Sequence, residues 1–205
     1  MTEGPVVFVV DDDPAMRDSL RWLIESTGLR VETYADAQTF LRAIRPDVPG
    51  CLVLDVRMPG MSGLDLQAEL ARRGIGLPTI IVTGHAEVPM AVRAVKAGAI
   101  DFIEKPFSDQ LLLDRVRQGL EMDRRERAAR ERRAEIMRRL GALSQREREV
   151  LELVVAGRAN KEIAAALGLS TKTVEVHRAH VMEKMQASSV AELVRLTLFV
   201  QAGGH

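Results

Sequence analysis

The stretch Cys51-Leu52-Val53-Leu54-Asp55-Val56-Arg57-Met58-Pro59-Gly60 decides the fold. An apolar run of strand length ends in an acid and passes at once into a Pro-Gly loop. A second run, Val6-Val7-Phe8-Val9-Val10, ends the same way in Asp11-Asp12-Asp13. Nearly continuous apolar strands are buried on both faces, as in a parallel sheet covered by helices. In such a sheet, ligands bind outside the carboxyl ends of the strands. Two strands that deliver carboxylates there point to one shared acidic pocket. Clustered carboxylates repel and do not stay ionised together without a cation. Hard oxygen ligands of this kind suit Mg²⁺, which takes carboxylates and phosphate oxygens and keeps several waters. One carboxylate among them can then serve as a nucleophile toward phosphorus.

Outward from this stretch, residues 5–120 alternate strand and helix patterns. Strands are expected near 5–10, 29–34, 51–55, 78–82 and 100–103. Helices are expected at 14–27, 36–45, 63–73, 86–97 and from 107 onward. Gly28, Gly74 and Gly98 fall where helices should stop. The alternation predicts a parallel sheet with helices on both faces.

Residues 119–141 differ in texture. They hold acid-before-base pairs at i,i+4: Glu121–Arg125, Asp123–Arg127, Glu126–Arg130 and Glu135–Arg139. Each pair supports a helix by about 0.2–0.5 kcal/mol. The segment reads as a charged helix extending the preceding one, with a flexible tether or weak coiled coil as alternatives. The apolar seam fails across 123–133, which disfavours the coiled coil. Residues 142–200 are all helical in pattern. Ser144–Glu147 and Ser189–Glu192 are capping boxes. Asn160 is placed to cap a short helix that Gly168 ends. A longer helix follows, to about Met185, so the pattern is helix-turn-helix.

Composition sets bounds. At 205 residues, 46% hydrophobic and 3% aromatic, the chain has room for one large or two small domains, packed mostly by aliphatic residues. One cysteine cannot form an internal disulfide, so a cytoplasmic location is expected, with Cys51 a core residue. No signal peptide and no membrane span are evident. The zero net charge hides a split: 13 Lys/Arg against 17 Asp/Glu in 1–120, and 16 against 12 in 121–205. The basic half is a candidate for nucleic acid, although much of its excess lies in 121–141.

With these residues assembled, 1–120 resembles a response-regulator receiver. The acidic pair matches at Asp11-Asp12, the phospho-acceptor at Asp55, the switch hydroxyl at Thr83, and the Lys-Pro-Phe turn at Lys105-Pro106-Phe107. Residues 143–196 resemble the LuxR-type helix-turn-helix domain, through Leu143-Ser144-Gln145-Arg146-Glu147-Arg148-Glu149-Val150-Leu151, Asn160-Lys161-Glu162-Ile163-Ala164 and Thr173-Val174-Glu175-Val176-His177. That order is the one found in NarL/FixJ response regulators, and Thr83-Gly84-His85-Ala86-Glu87-Val88-Pro89-Met90 leans to the FixJ/StyR side.

The resemblance implies a flavodoxin-like (βα)₅ receiver (1–120), a charged helical linker (121–141) and an all-α DNA-binding domain (142–205). It implies Mg²⁺ held by Asp12, Asp55 and the Arg57 backbone carbonyl, with Asp11 acting through water. Thr83 and Lys105 would take phosphate oxygens, and Thr83 and Phe102 would form the switch. A sensor histidine kinase would phosphorylate Asp55, favouring a homodimer on double-stranded DNA that acts on RNA polymerase, as an activator. No other catalysis is implied. The helix near 171–185 should enter the major groove. Lys161, Lys172, Thr173, Glu175, Val176, Arg178, Ala179 and Lys184 are the expected DNA-facing set. Val174, His177, Val181 and Met185 should face the core, and in the last helix Val190, Leu193, Val194 and Leu196 form a candidate dimer surface. Asp13 reads as a first-turn helix residue and His85 as a loop residue. Two rivals stand beside this reading: a metal-dependent phosphohydrolase, and a DNA-binding protein whose receiver is only structural.

Overall fold

The computed structural model describes residues 4–84 and 87–202. The chain divides into two compact units, Met1–Glu126 and Arg127–His205. The first runs β1 (Val6–Val10), α1 (Pro14–Glu25), β2 (Arg30–Tyr34), α2 (Ala37–Ala43), β3 (Gly50–Asp55), α3 (Gly63–Arg72), β4 (Thr79–Thr83), α4 (Val88–Lys96), β5 (Ala99–Glu104) and the start of α5 (Asp109–Gly141). All five strands are parallel, in the order β2-β1-β3-β4-β5. The expected doubly wound sheet is therefore present. The chain steps outward from β1 to β2 and back to β3, so the switch point lies between β1 and β3.

Side chains alternate across the strands and feed two cores. Val6, Phe8, Val10, Leu52 and Leu54 pack with Phe40 of α2, Leu66 and Leu70 of α3 and Ala94 of α4. Val7, Val9, Cys51 and Val53 pack on the opposite face with Leu20 and Ile24 of α1 and Leu112 and Val116 of α5. Side-chain caps start α1, α2, α3 and α5, the last through Ser108 Oγ, which accepts from Leu111 N at 3.2 Å. Asp13 accepts from Ala15 N, Asp36 from Thr39 N and Ser62 from Asp65 N. Asp13 is thus the N-cap itself, one place before the first turn.

Gly63 lets α3 approach the end of β3. A Cβ there would lie 2.1 Å from the Asp55 carbonyl oxygen. Gly63 N instead donates to Val56 O at 3.0 Å, which closes the loop that follows Asp55.

Helix α5 spans the 33 residues Asp109–Gly141, so the charged segment is helical. Glu121 pairs with Arg125 at 2.7 Å and Glu135 with Arg139 at 2.8 Å. Asp123 has a further role that its i,i+4 spacing did not announce. It is buried, and its Oδ2 accepts from Gly50 N at 2.9 Å. The helix gives Leu112 and Val116 to the first unit's core and Ile136 to the second unit's.

The second unit continues with α6 (Gln145–Val155), α7 (Asn160–Leu167), α8 (Thr171–Met185) and α9 (Val190–Ala202). Ile136, Val150, Val154, Ile163, Val174, Val181, Met185 and Leu193 form its core. Ser144 and Glu147 make the full reciprocal box. The second box is only half made: Ser189 Oγ accepts from Glu192 N, but the Glu192 carboxylate returns to Ser188 N at 2.8 Å. Gly168, at φ +67°, ends α7 in the left-handed conformation that favours glycine. Asn160 does not cap α7. Ala159 holds that position, and the Glu162 carboxylate accepts from Ala159 N at 2.8 Å. Val174, Val181 and Met185 are buried as expected, whereas His177 is only half-buried.

Candidate phosphoryl-acceptor site and nucleic-acid interface

The sheet register brings the first site together. Val10 lies beside Leu54, so the next residues, Asp11 and Asp55, leave adjacent strands at the switch point. β4 ends at Thr83, and Lys105 follows β5, its backbone N donating to Thr83 O at 2.8 Å. The Lys105–Pro106 bond is cis.

One ammonium serves two carboxylates here. Lys105 Nζ donates to Asp11 Oδ2 at 2.8 Å and to Asp55 Oδ1 at 2.9 Å. Asp11 and Asp55 are 2% and 7% exposed, and Thr83 is fully buried. Asp55 Oδ2 accepts from Arg57 N at 2.7 Å, and Asp11 Oδ1 accepts from Asp13 N at 2.9 Å. Burial pushes the Asp55 pKa up, and the charge on Asp11 adds to this, against hydrogen bonds from Lys105 and Arg57 N. Burial pulls Lys105 down, but its bonds to the two carboxylates outweigh that and leave its pKa raised. The pocket thus carries more negative charge than one lysine compensates.

Asp12 is exposed and lines a cavity of about 540 Å³ together with Arg57, Met58, Met90 and Arg93. Asp55 is not among the residues lining it. Phe102 is partly buried and packs against the core on the α4 side of the sheet. His85 lies outside the described residues. Sequence reasoning missed Arg17, whose Nη1 donates to the backbone oxygens of Asp11 at 2.7 Å and Asp12 at 2.9 Å. It also missed Arg57 with Glu87, 3.3 Å apart, which ties the loop after β3 to the start of α4. An Arg one turn into α1 and an acid ahead of α4 carry no spacing signal that names their partners. Among the described residues, no three His, Cys, Asp or Glu side chains form a metal-binding group.

In the second unit, α7, the Gly168 turn and α8 make the helix-turn-helix. Ser170 caps α8 by accepting from Thr173 N at 3.0 Å, and the two hydroxyls lie 2.8 Å apart. Lys172, Glu175, Val176 and Ala179 are exposed, Val176 at 48%. Their i, i+3, i+4, i+7 spacing puts them on one face of α8. Lys161 of α7 is also exposed. Besides Thr173, two cations of the expected set are engaged inside the unit. Arg178 Nη1 donates to Asn160 Oδ1 at 2.7 Å. Lys184 Nζ donates to both oxygens of the buried Glu147, at 2.9 and 2.7 Å. That lysine and Ser144 N hold the Glu147 carboxyl down at about 2. His180 Nδ1 lies 3.7 Å from the same carboxylate. In α9, Leu193 and Leu196 are buried in their own domain, while Val190 is 39% exposed. No described helix is long and apolar enough to cross a membrane.

Carboxylates sharing an ammonium at the switch point of a parallel sheet, in a chain that ends in a helix-turn-helix, define a signal-receiving regulator of transcription. Comparison with known proteins agrees. The response regulator receiver domain matches residues 7–117, and the bacterial regulatory proteins of the luxR family match 141–197. Nodulation protein W of Bradyrhizobium diazoefficiens is 50% identical over 94% of this chain and 85% of its own. The transcriptional regulatory protein FixJ of Azorhizobium caulinodans is 50% identical over 97% of this chain and 94% of its own. Among solved structures, the response regulator StyR is similar, with 47% identity, TM-score 0.88, and coverage of 96% of this chain and 99% of that one. Full-length FixJ from B. japonicum shows 43% identity, TM-score 0.60, and coverage of 98% and 99%. The chain belongs to the two-component response regulators that carry a receiver and a luxR-type DNA-binding domain.

Proposed function

We propose that Asp55 is the phospho-acceptor and that its phosphorylation by a sensor histidine kinase switches sequence-specific binding of double-stranded DNA. The observation that carries this reading is the Lys105 ammonium, 2.8 Å from Asp11 and 2.9 Å from Asp55 at the carboxyl ends of the sheet. An Asp55 oxygen attacks phosphorus, the bond to the donor histidine nitrogen breaks, and an acyl phosphate forms. Lys105 can then turn from the carboxylate to a phosphate oxygen, and the Thr83 hydroxyl can donate to another. Phe102 follows Thr83 in the switch.

The donor set suits Mg²⁺. It consists of hard oxygens, and two buried carboxylates, Asp11 and Asp55, share the single Lys105 ammonium. Asp12, Asp55 and the Arg57 carbonyl would hold the ion, with Asp11 acting through water. When bound, it offsets the charge that builds as a phosphoryl group nears a carboxylate. This chain's own residues orient the rest: Arg57 N fixes one Asp55 oxygen, and Arg17 pins the backbone that presents Asp12.

The proposed division is a receiver over 1–120, a helical linker over 121–141 and a DNA-binding domain over 142–205. Lys161, Lys172, Thr173, Glu175, Val176, Arg178 and Ala179 make up the DNA-facing set. Lys184 joins it only if it leaves Glu147. The phosphorylated protein acts as a cytoplasmic homodimer that engages RNA polymerase and activates transcription, as its resemblance to FixJ-like regulators suggests. Incubation with a labelled low-molecular-weight phosphodonor and Mg²⁺ tests the acceptor. Wild type takes up phosphate that alkali and hydroxylamine release, as from an acyl phosphate, and Asp55→Asn does not. Equal uptake by the variant would place the acceptor elsewhere.

A further inference from the structure

Asn160 has an assignment beyond the α7 cap its position suggested. Capping falls to Glu162, whose carboxylate accepts from Ala159 N, and this leaves the Asn160 amide for other work. Its Oδ1 accepts from Arg178 Nη1 at 2.7 Å, a bond between the two helices of the helix-turn-helix. We infer that Asn160 is a positioning residue for DNA binding, holding the Arg178 guanidinium in the orientation in which it meets the duplex. The inference rests on the proposed DNA contact of Arg178 and deepens it.

The geometry favours this role. Val174 and Val181 are buried, four residues before and three after Arg178, so the rotation of α8 is fixed by its core face. Arg178 therefore leaves the helix at the margin of that face, and both it and Asn160 are partly buried. An arginine there has several rotamers along the protein surface. A single strong acceptor at its tip selects one, and the guanidinium is rigid and planar, so one fixed N–H sets the direction of the other four. The rotamer entropy is lost in the free protein, before DNA arrives, and binding then costs less. Asn suits the task better than an acid, because a neutral acceptor leaves the guanidinium charge available to phosphate.

The test measures the affinity of the full-length protein, with Mg²⁺-beryllofluoride present, for a short random-sequence duplex at several salt concentrations. The variants are Asn160→Ala, Arg178→Ala and the double variant. Arg178→Ala should weaken binding by roughly tenfold and lower the salt slope by about one. Asn160→Ala should weaken it by roughly threefold with the slope unchanged, since the arginine still reaches phosphate once ordered. In the Arg178→Ala background, Asn160→Ala should do nothing further. Should Asn160→Ala fail to fold, Asn160→Asp keeps shape and acceptor but cancels the guanidinium charge, and should lower the slope as Arg178→Ala does. Wild-type binding by Arg178→Ala would remove the DNA contact itself, and the inference with it. If Arg178→Ala weakens binding but Asn160→Ala does not, or the two losses multiply in the double variant, the contact stands and the positioning role is overturned. An unchanged slope in Asn160→Asp overturns it equally.

Discussion

Lys105 and Lys184 each settle a buried charge, and only one was legible as doing so. Lys105 belongs to a motif whose acidic partners stand at strand ends, so its place in the pocket followed from the sequence. Lys184 looked like a phosphate contact on an exposed helix face, yet its ammonium lies 2.7 Å from Glu147, 37 residues away. Helical periodicity tells which face a residue occupies but not which acid another helix brings to it. Asn160 was misjudged as a cap for the same reason, and the bond from Gly50 N to Asp123 went unforeseen.

The Glu147 pair has a pH signature. Its carboxyl pKa is held at about 2, below the ordinary range of roughly 4–4.5. The pair's stabilisation is therefore fully present above about pH 5 and is lost as pH falls through 4 toward 2. Urea melts of the second unit's signal should show this acid-side loss, and Glu147→Gln should flatten it. Lys184→Met leaves the buried carboxylate with Ser144 N as its hydrogen-bond donor but no ammonium, and should cost about 1–3 kcal/mol at pH 7. A variant as stable as wild type would mean the pair is solvent-screened. Thr83→Ala should leave Asp55 reactive yet uncouple phosphate from DNA binding. A variant still activated normally by phosphodonor would exclude the switch role.

At the level of elements, α3 and α4 depend on contacts that no pattern announces. Gly63 reads simply as a helix start, but its lack of a side chain lets α3 meet the Asp55 backbone. Gly63→Ala should destabilise the first unit by about 1–3 kcal/mol and slow phosphate uptake, because the acceptor strand end must shift. Uptake at the wild-type rate would show that the loop absorbs the methyl elsewhere. Helix α4 buries only Ala94 among its residues. Its C-terminal end is held by Gln67 of α3, whose Nε2 donates to Ala94 O at 3.3 Å and Ala97 O at 3.1 Å. Helix α5 carried a readable charge pattern, and its continuation as one helix was expected. Its division of labour was not, because Ile136-Met137 is only a short apolar pair among charges, and nothing in it tells which of the two is buried. Ile136→Ala should lower the stability of the second unit by about 2–4 kcal/mol. A change below about 0.5 kcal/mol, the scale of a surface substitution, would deny it a place in that core.

For the whole molecule, the sheet and the helix-turn-helix were both foreseeable, because their signals are local: apolar runs, strand-end acids, caps and a turn glycine. The charge split between the two halves anticipated two modules with different partners. What stayed hidden was how the modules' side chains pair once folded. If phosphate on Asp55 gates DNA binding, footprinting of genomic fragments with and without Mg²⁺-beryllofluoride should reveal it. Protection of paired, two-fold-related half-sites is expected only with the phosphoryl mimic, and none in Asp55→Asn under either condition. Equal protection of the same sites with and without the mimic would contradict it.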